Sequence, residues 1–511
     1  METKSAKFPQ KNLSVIYFRP FIPISLILLL ATALYSYQLG TESLWVDELY
    51  SVHDAQELKL DYWLIFTKIR PLYYLLLGIW MQFGNSEAWM RALSVLFGLG
   101  SIFLLYQLGR RVAGETVGLI AAVLMTLSPL FINFSQMVRM YSLGTFLGIS
   151  GTLALVYTLE KPTASLMGCW AVSRFLMFIT APLNITLLLP DVLLFFLKFR
   201  NQRPILLAFG KWLLLVIIFC ALPLSSLILK TLPFLRGALD FSQKTTQSAN
   251  HVFPSFVDVI RKLRNFTAFP FPSTSKAMSL FYQGYTLMLG CLLSLALFRK
   301  HRSAKLLWIT AWTFIPAATI FLVSKRLWID RYILFLLPYV LILLAAGFMR
   351  VWRLQKTLAI VVAIIYALSV SGGLVRYYTV QDRQDWRNLA QTIITNEEPG
   401  DAIILSEGNV SEKMIKAIAY YYSGFAPVTR NIELCSSKKT EQSSREQAIK
   451  NLPQNQSRLW IVCGEGFDSK QFTKTFGENF QILKYQSFIN FNFYRENDLM
   501  HLFLVKPYLS K

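Results

Sequence analysis

The chain is short of acids, of histidine and of charge altogether. Of its 511 residues, 29 are Asp or Glu against 51 Lys or Arg, and only four are His. With 16% charged and 54% hydrophobic residues and a mean hydropathy of +0.43, it cannot clothe a soluble particle of this size. Scattered His53, His251, His301 and His501 argue against a multi-histidine metal centre. The five cysteines show no metal-ligand spacing. Cys169, Cys220 and Cys291 lie in apolar runs and read as small core residues. Cys435 and Cys463 share the polar tail and are able to pair if that tail is extracytoplasmic. No glycine-rich loop opens a helix, and Gly464-Glu465-Gly466 alone does not make a nucleotide site. The first apolar run, Phe21 to Tyr37, lacks a small-residue cleavage signal and reads as a retained helix.

What the chain has instead is apolar runs long enough to cross hydrocarbon, recurring from residue 20 to about 374. The net charge of +22 falls mostly in short clusters between those runs. Such clustering writes membrane topology and argues against nucleic acid as a partner. The runs predict about eleven crossings, with an inner N-terminus and an outer C-terminus. Arg110-Arg111, Lys198 to Arg203, Arg299 to Arg302 and Arg350 to Lys356 then fall inside. Residues 39–84 and 230–280 form long outer loops. In the first, Pro71 to Phe83 is too short to cross and is expected to lie at the interface or re-enter. Residues 133–139 are expected to be a short outer turn. Arg174, inside an apolar region, is expected to face a polar cavity or the headgroups.

After residue 374 the texture changes. Helical runs near 386–396 and 413–422 alternate with strand-like Ala402 to Leu405, Leu459 to Val462, Ile482 to Tyr485 and His501 to Val505. The fold expected is therefore a polytopic α-helical membrane module over 1–374 and a small extracytoplasmic α/β domain over 375–511.

The candidate chemistry sits at the outer rim. Asp47 and Glu48 lie in Leu44-Trp45-Val46-Asp47-Glu48-Leu49-Tyr50, where the chain leaves its first crossing. A carboxylate among large apolar residues there is suited to act as general base on a hydroxyl or amine acceptor. Glu48 reads either as a helix-start acid or as a supporting carboxylate. Together they are also the only carboxylates offered for a divalent metal, and no full ligand set accompanies them. Lys325, Arg326 and Arg331 fall outside against the topology rule. They suit a phosphate or diphosphate, or else anionic headgroups. Asp330 is placed to hold one of its neighbours. Arg139 with Tyr141 reads as a donor aimed into an outer cavity or as a snorkelling arginine. Arg261, Lys262 and Arg264 read as substrate contacts or as a solvated basic face.

In order and spacing these stretches resemble the GT-C superfamily, in particular the bacterial relatives of dolichyl-phosphate-mannose protein mannosyltransferases and the aminoarabinose transferases of lipid A. Leu44 to Ser51 is similar to the family's first-loop acidic motif, which carries the acid role to Asp47. Pro71-Leu72-Tyr73-Tyr74 is similar to the end of its Pro-Pro-Leu-Tyr-Tyr motif, with Ile69 and Arg70 in place of the preceding residues. Glu87 to Leu96 resembles the start of the second helix, with Arg91 at the family's arginine. Ser135 to Ser142 resembles Ser-Gln-Glu-Ala-Arg-Met-Tyr, with Met137 where an acid is common. Arg331-Tyr332-Ile333-Leu334 resembles the late helix start that meets the lipid phosphate in relatives. Asp385-Trp386-Arg387 with Pro399-Gly400-Asp401 resembles the opening of the outer domain.

The resemblance implies an inner-membrane glycosyltransferase. Its donor would be a polyprenyl-phosphate sugar, its tail in a groove among membrane lipid, and its acceptor a lipid, glycan or protein meeting Asp47 on the outer face. Two other classes stay open: a lipid or glycan transporter, which calls for internal repeats and mid-membrane sites, and a non-catalytic assembly subunit.

Overall fold

The computed structural model describes residues 21–60, 70–221, 256–268, 275–298, 304–323, 327–380, 383–406, 411–430, 435, 457–464, 480–489 and 499–508. The chain forms two compact units. The first holds residues up to Tyr37, Tyr62–Tyr73 and Arg91–Arg376; the second holds Gln38–Asp61, Tyr74–Met90 and Tyr377–Lys511. The division expected at 375 assigned the first outer loop to the membrane module, whereas 38–61 and 74–90 fold with the C-terminal residues.

In chain order the helices are α1 (Phe21–Ser36), α2 (Val46–Leu60), α3 (Pro71–Trp80), α4 (Glu87–Ala113), α5 (Glu115–Thr126), α6 (Pro129–Ser135), α7 (Tyr141–Glu160) and α8 (Ala164–Phe178). A 3-10 turn, Pro182–Leu187, leads into α9 (Leu188–Phe199), followed by α10 (Arg203–Ala221), α11 (Phe256–Thr267), α12 (Lys276–Leu297) and α13 (Leu306–Val323). The short α14 (Asp330–Ile333) leads into α15 (Leu337–Leu354), and α16 (Lys356–Thr379) completes the apolar series.

Among the described residues eight helices are long and apolar enough to cross a membrane, or nine if α5 and α6 form one span bent by 66°. In hydrocarbon only helices satisfy every backbone group internally, so apolar runs of this length have one outcome. Their faces divide accordingly: Leu287 on α12 is 71% exposed, while Leu289 is fully buried.

The break between α5 and α6 corrects the expected turn at 133–139. Ser128 caps α6, its Oγ accepting from the Phe131 amide at 3.3 Å, and Pro129 occupies the first turn. A proline there needs no N–H partner and fixes a helical φ. Residues 133–135 therefore finish a helix, and only 136–140 turn.

Arg174 also departs from expectation. It faces neither a polar cavity nor the headgroups but is fully buried, with Nε 2.7 Å from Asp191 Oδ2. Its Nη atoms donate to the Gly148 carbonyl and to Thr152 Oγ1, both at 2.8 Å. Trp170 and Trp312 donate their indole N–H groups to the two Asp191 oxygens. One intramembrane charge is thus answered by another and by four hydrogen-bond partners, the condition under which burial is tolerable.

Helices α12 and α15 meet at Gly347, where a Cβ would overlap the Leu292 carbonyl. Gly373 on α16 is equally close to the Ala268 carbonyl just beyond α11. Such contact brings backbone against backbone, as small residues do in membrane helix packing.

The second unit contains α2, then α17 (Trp386–Asn396), α18 (Ser411–Tyr421) and a five-stranded sheet. Its strands are β1 (Asp401–Ser406), β2 (Val428–Arg430), β3 (Arg458–Cys463), β4 (Phe480–Ile489) and β5 (Leu499–Pro507), in the order β2-β1-β3-β5-β4. β1 pairs parallel with β2 and β3, and β5 pairs antiparallel with β3 and β4. Ala402, Ile404, Leu459, Ile461, Phe503 and Val505 build its core. Cys435 and Cys463 form a disulfide at that core. Beside it, Asp401 accepts from Arg458 Nη2 at 2.8 Å and from the Trp460 indole at 3.0 Å. The stacked pair Trp80 and Trp89, ring centroids 4.5 Å apart, exchange indole N–H bonds to each other's carbonyl.

Candidate active-site groups

The second unit carries one group of the residues singled out in the sequence, and the first unit carries two. In the second unit, Asp47 and Glu48 occupy the first turn of α2, where exposed N–H groups favour negative charge. Glu48 is fully buried, and its Oε2 accepts the Trp45 amide at 3.2 Å. That is the reciprocal half of a capping box, the bond expected of a helix-start acid. Asp47 is half-buried, and its backbone carbonyl accepts from Ser51 Oγ at 3.2 Å. The stretch ahead of it is tied to the segment opening the C-terminal domain. Glu42 pairs with Arg383 at 3.4 Å, and Ser43 donates to the Gln384 carbonyl at 2.5 Å. Glu87, at the start of α4, pairs with Arg387. Tyr74, on α3, is buried in the same unit.

In the first unit, α11 presents Arg261, Lys262 and Arg264. Leu263 lies between them, and Phe266 is buried. The helix is anchored at its end: Ser128 Oγ donates to the Phe266 carbonyl and Tyr285 OH to Thr267 Oγ1, both at 2.8 Å. Lys262 Nζ reaches Asp330 Oδ1 at 2.9 Å. Asp330 was expected to hold a sequence neighbour, but its partner comes from α11 instead. Arg331 follows directly, its guanidinium carbon 5.1 Å from the Tyr332 ring centroid. Arg264 lies over Tyr282 at 5.7 Å, and its Nε has no hydrogen-bond partner among the described residues. Burial, and then the neighbouring charge of Arg261, lower the Arg264 pKa from its ordinary value. A guanidinium so placed is well suited to an anion. Lys325 and Arg326 lie outside the described residues.

A second polar cluster of the first unit surrounds Arg139. Tyr73 OH is 2.9 Å from Ser94 Oγ, which donates to the Arg139 carbonyl at 3.2 Å. The Arg139 guanidinium lies 5.9 Å from the Tyr141 ring, and Arg91 is fully buried. Asn133 Nδ2, Ser135 Oγ and Ser142 Oγ are buried without hydrogen-bond partners among the described residues. Buried polar atoms are normally bonded, so these offer unused capacity to a polar ligand. Arg70 is half-buried, with its Nε unpartnered among the described residues. A mostly aliphatic cavity of about 320 Å³ also opens among α5, α12, α15 and α16, lined by residues such as Leu124, Leu289, Leu344, Val362 and Leu374. The Tyr366 hydroxyl on its wall has no partner among the described residues.

No group of three His, Cys, Asp or Glu gathers to hold a metal ion among the described residues.

Sequence reasoning did not single out Gln384 or Tyr421, nor the partnership of Lys262 with Asp330. These joins connect positions far apart in the chain, and no spacing signal marks them.

A family model described as dolichyl-phosphate-mannose-protein mannosyltransferase matches residues 70–227. The match includes Arg70, Tyr73, Tyr74, Arg91, Arg139 and Tyr141. No curated protein sequence matches the chain. Among solved structures, the ArnT of Cupriavidus metallidurans in the apo state is similar at 11% identity and a TM-score of 0.56, covering 94% of this chain and 97% of that one. The same enzyme bound to undecaprenyl phosphate gives 12%, 0.51 and the same coverage. The oligosaccharyltransferase AglB of Archaeoglobus fulgidus, in complex with an inhibitory peptide and a dolichol-phosphate, gives 10% and 0.54, covering 95% of this chain and 76% of that one. These likenesses show the fold, and they bear out a polytopic α-helical membrane protein with a C-terminal sheet domain.

Proposed function

We propose that this chain, which has the fold of the GT-C membrane glycosyltransferases, moves a sugar from a polyprenyl-phosphate carrier to an acceptor on the outer face of a bacterial inner membrane. The observation that carries the reading is that fold, shared over nearly the whole chain with structures that hold undecaprenyl phosphate or dolichol-phosphate. The cation group and the acid supply the chemistry such a transfer needs.

In the proposed reaction Asp47 takes the proton of the acceptor hydroxyl or amine as that atom attacks the anomeric carbon. The bond from that carbon to the phosphate oxygen breaks, and its electron pair leaves with the polyprenyl phosphate. Arg331 and Arg264, with Lys262 balanced against Asp330, stabilise the phosphate charge as it grows. The aliphatic cavity of the first unit accommodates part of an isoprenoid chain. Arg139, Tyr73 and the polar atoms near them contact the sugar or its phosphate.

The topology proposed has α1 and α8, both short and apolar, crossing beside the nine spans, which gives eleven. An odd number sets the termini on opposite sides, with the clusters such as Arg110-Arg111 inside by the positive-inside rule. The Cys435–Cys463 disulfide supports an oxidising, outer compartment for the C-terminal domain.

Mass spectrometry of the co-purifying lipid, followed by transfer from a panel of polyprenyl-phosphate sugars in proteoliposomes, tests the reading. It requires a polyprenyl phosphate in the preparation and sugar transfer from at least one carrier. Movement of lipid across the bilayer without any transfer is the outcome expected of a transporter.

A further inference from the structure

A helix leaves its first N–H groups without intrahelical partners, and the amides just ahead of it need partners as well. At the start of α2 three successive amides of this kind are all met by side chains. The Leu44 amide donates to Tyr421 OH at 2.7 Å, the Trp45 amide to Glu48 Oε2 at 3.2 Å and the Val46 amide to Gln384 Oε1 at 3.2 Å. Glu48 is local. Tyr421 ends α18 and Gln384 precedes α17, both in the C-terminal domain more than 300 positions away in the chain. Asp47 is the next residue.

The two distant partners are themselves fixed. Tyr421 OH donates to Glu87 Oε1 at 2.6 Å while accepting from Leu44, so both roles of the hydroxyl are used. Burial, and then the Glu87 carboxylate, raise the Tyr421 pKa far above the ordinary value, and the hydroxyl keeps its proton. Gln384 Oε1 also accepts the Trp386 indole N–H at 3.1 Å, and its carbonyl accepts from Ser43. Arg387 donates to the Gly40 carbonyl at 3.3 Å and pairs with Glu87. Lys416, on α18, lies 4.9 Å from the ring centroid of Tyr50 on α2. All these residues belong to the second unit.

From this geometry we infer that Tyr421 and Gln384 are positioning residues, through which the C-terminal domain sets the backbone that aims the Asp47 carboxylate. The domain is then a working part of the transferase, beyond any role in meeting acceptor. The inference rests on the proposed role of Asp47. Misplacing a reacting group by about 1 Å lowers a rate by about 100-fold, so loss of one of these bonds acts on turnover before it acts on stability.

Tyr421→Phe, Gln384→Leu, Gln384→Glu and Asp47→Asn, each in the full chain in proteoliposomes, provide the test. Steady-state kinetics are read together with amide hydrogen exchange over residues 40–50. The expected result is loss of protection at Leu44 in Tyr421→Phe and at Val46 in Gln384→Leu. In both, kcat falls by about 10- to 100-fold while donor KM holds. Gln384→Glu, which keeps an acceptor oxygen, retains most of its kcat. Lost protection with unchanged kcat overturns the inference. So does a fall in kcat shared equally by Gln384→Glu and Gln384→Leu together with lower thermal stability, because that pattern marks a merely structural role. An active Asp47→Asn variant instead refutes the role of Asp47, and the exchange data show separately whether the backbone is held.

Discussion

Arg174 and Asp191 form an ion pair between two apolar helices, with both side chains fully buried. Removing one partner from such a pair leaves a bare charge in a medium that solvates it poorly. Asp191→Asn is expected to destabilise the protein by about 3–5 kcal/mol. Thermal unfolding in detergent measures this. The double substitution Arg174→Met with Asp191→Leu is expected to recover only part of the loss: the desolvation of both charges disappears with them, but the Trp170 and Trp312 indoles lose their acceptor.

Lys262 and Asp330 join α11 to the turn that carries Arg331. Arg331→Ala is expected to remove charge-assisted bonds worth about 1.5–3 kcal/mol to the donor phosphate, raising donor KM by about 10- to 100-fold. Acceptor KM is expected to hold. Kinetics with each substrate varied in turn distinguish this from a folding defect, which weakens binding of both and raises both KM values.

Much of this arrangement is visible in the linear chain, and the limits of that reading have physical causes. Long apolar runs announce membrane helices because hydrocarbon permits little else. Strands β1 and β3, buried along nearly their whole length, announce themselves through the unbroken apolar runs Ala402–Leu405 and Leu459–Val462. Three-residue β2 carries no periodicity to read. Pro129 and Ser128 signal the start of α6 in retrospect, but a run of apolar residues on both sides hides the bend. Asp47 stands out by context alone. Its supports at Gln384 and Tyr421 do not, because a tertiary contact between distant segments leaves no local mark. Likewise nothing near Arg174 names Asp191, which lies one helix away.

The sheet domain carries a pH dependence of its own. Burial opposes ionisation of Asp401, but the bonds from Arg458, the Glu398 amide and Trp460 outweigh it and hold the carboxyl below its ordinary range. In the unfolded chain the group titrates near its reference value of about 3.9. A depressed folded pKa adds stability that is fully present above the unfolded value and is lost as pH falls through the folded one. Thermal midpoints of wild type and Asp401→Asn are therefore expected to differ at neutral pH and to converge below about pH 4. A gap that stays constant across that range would rule out the linkage.

Glu48 Oε2 accepts the Trp45 amide, and no group of three His, Cys, Asp or Glu gathers at Asp47 among the described residues. Dialysis against EDTA is expected to leave sugar transfer intact. Loss of transfer that magnesium or manganese restores would place a divalent ion beside Asp47 and assign the acid a different task.

The proposed transfer turns on what the Asp47 carboxylate does, and single-turnover transfer from the identified polyprenyl-phosphate sugar reads that step without product release. For Asp47→Asn a fall of at least about 100-fold is expected, with donor binding and thermal stability equal to wild type. Transfer at the wild-type rate in that variant would contradict it.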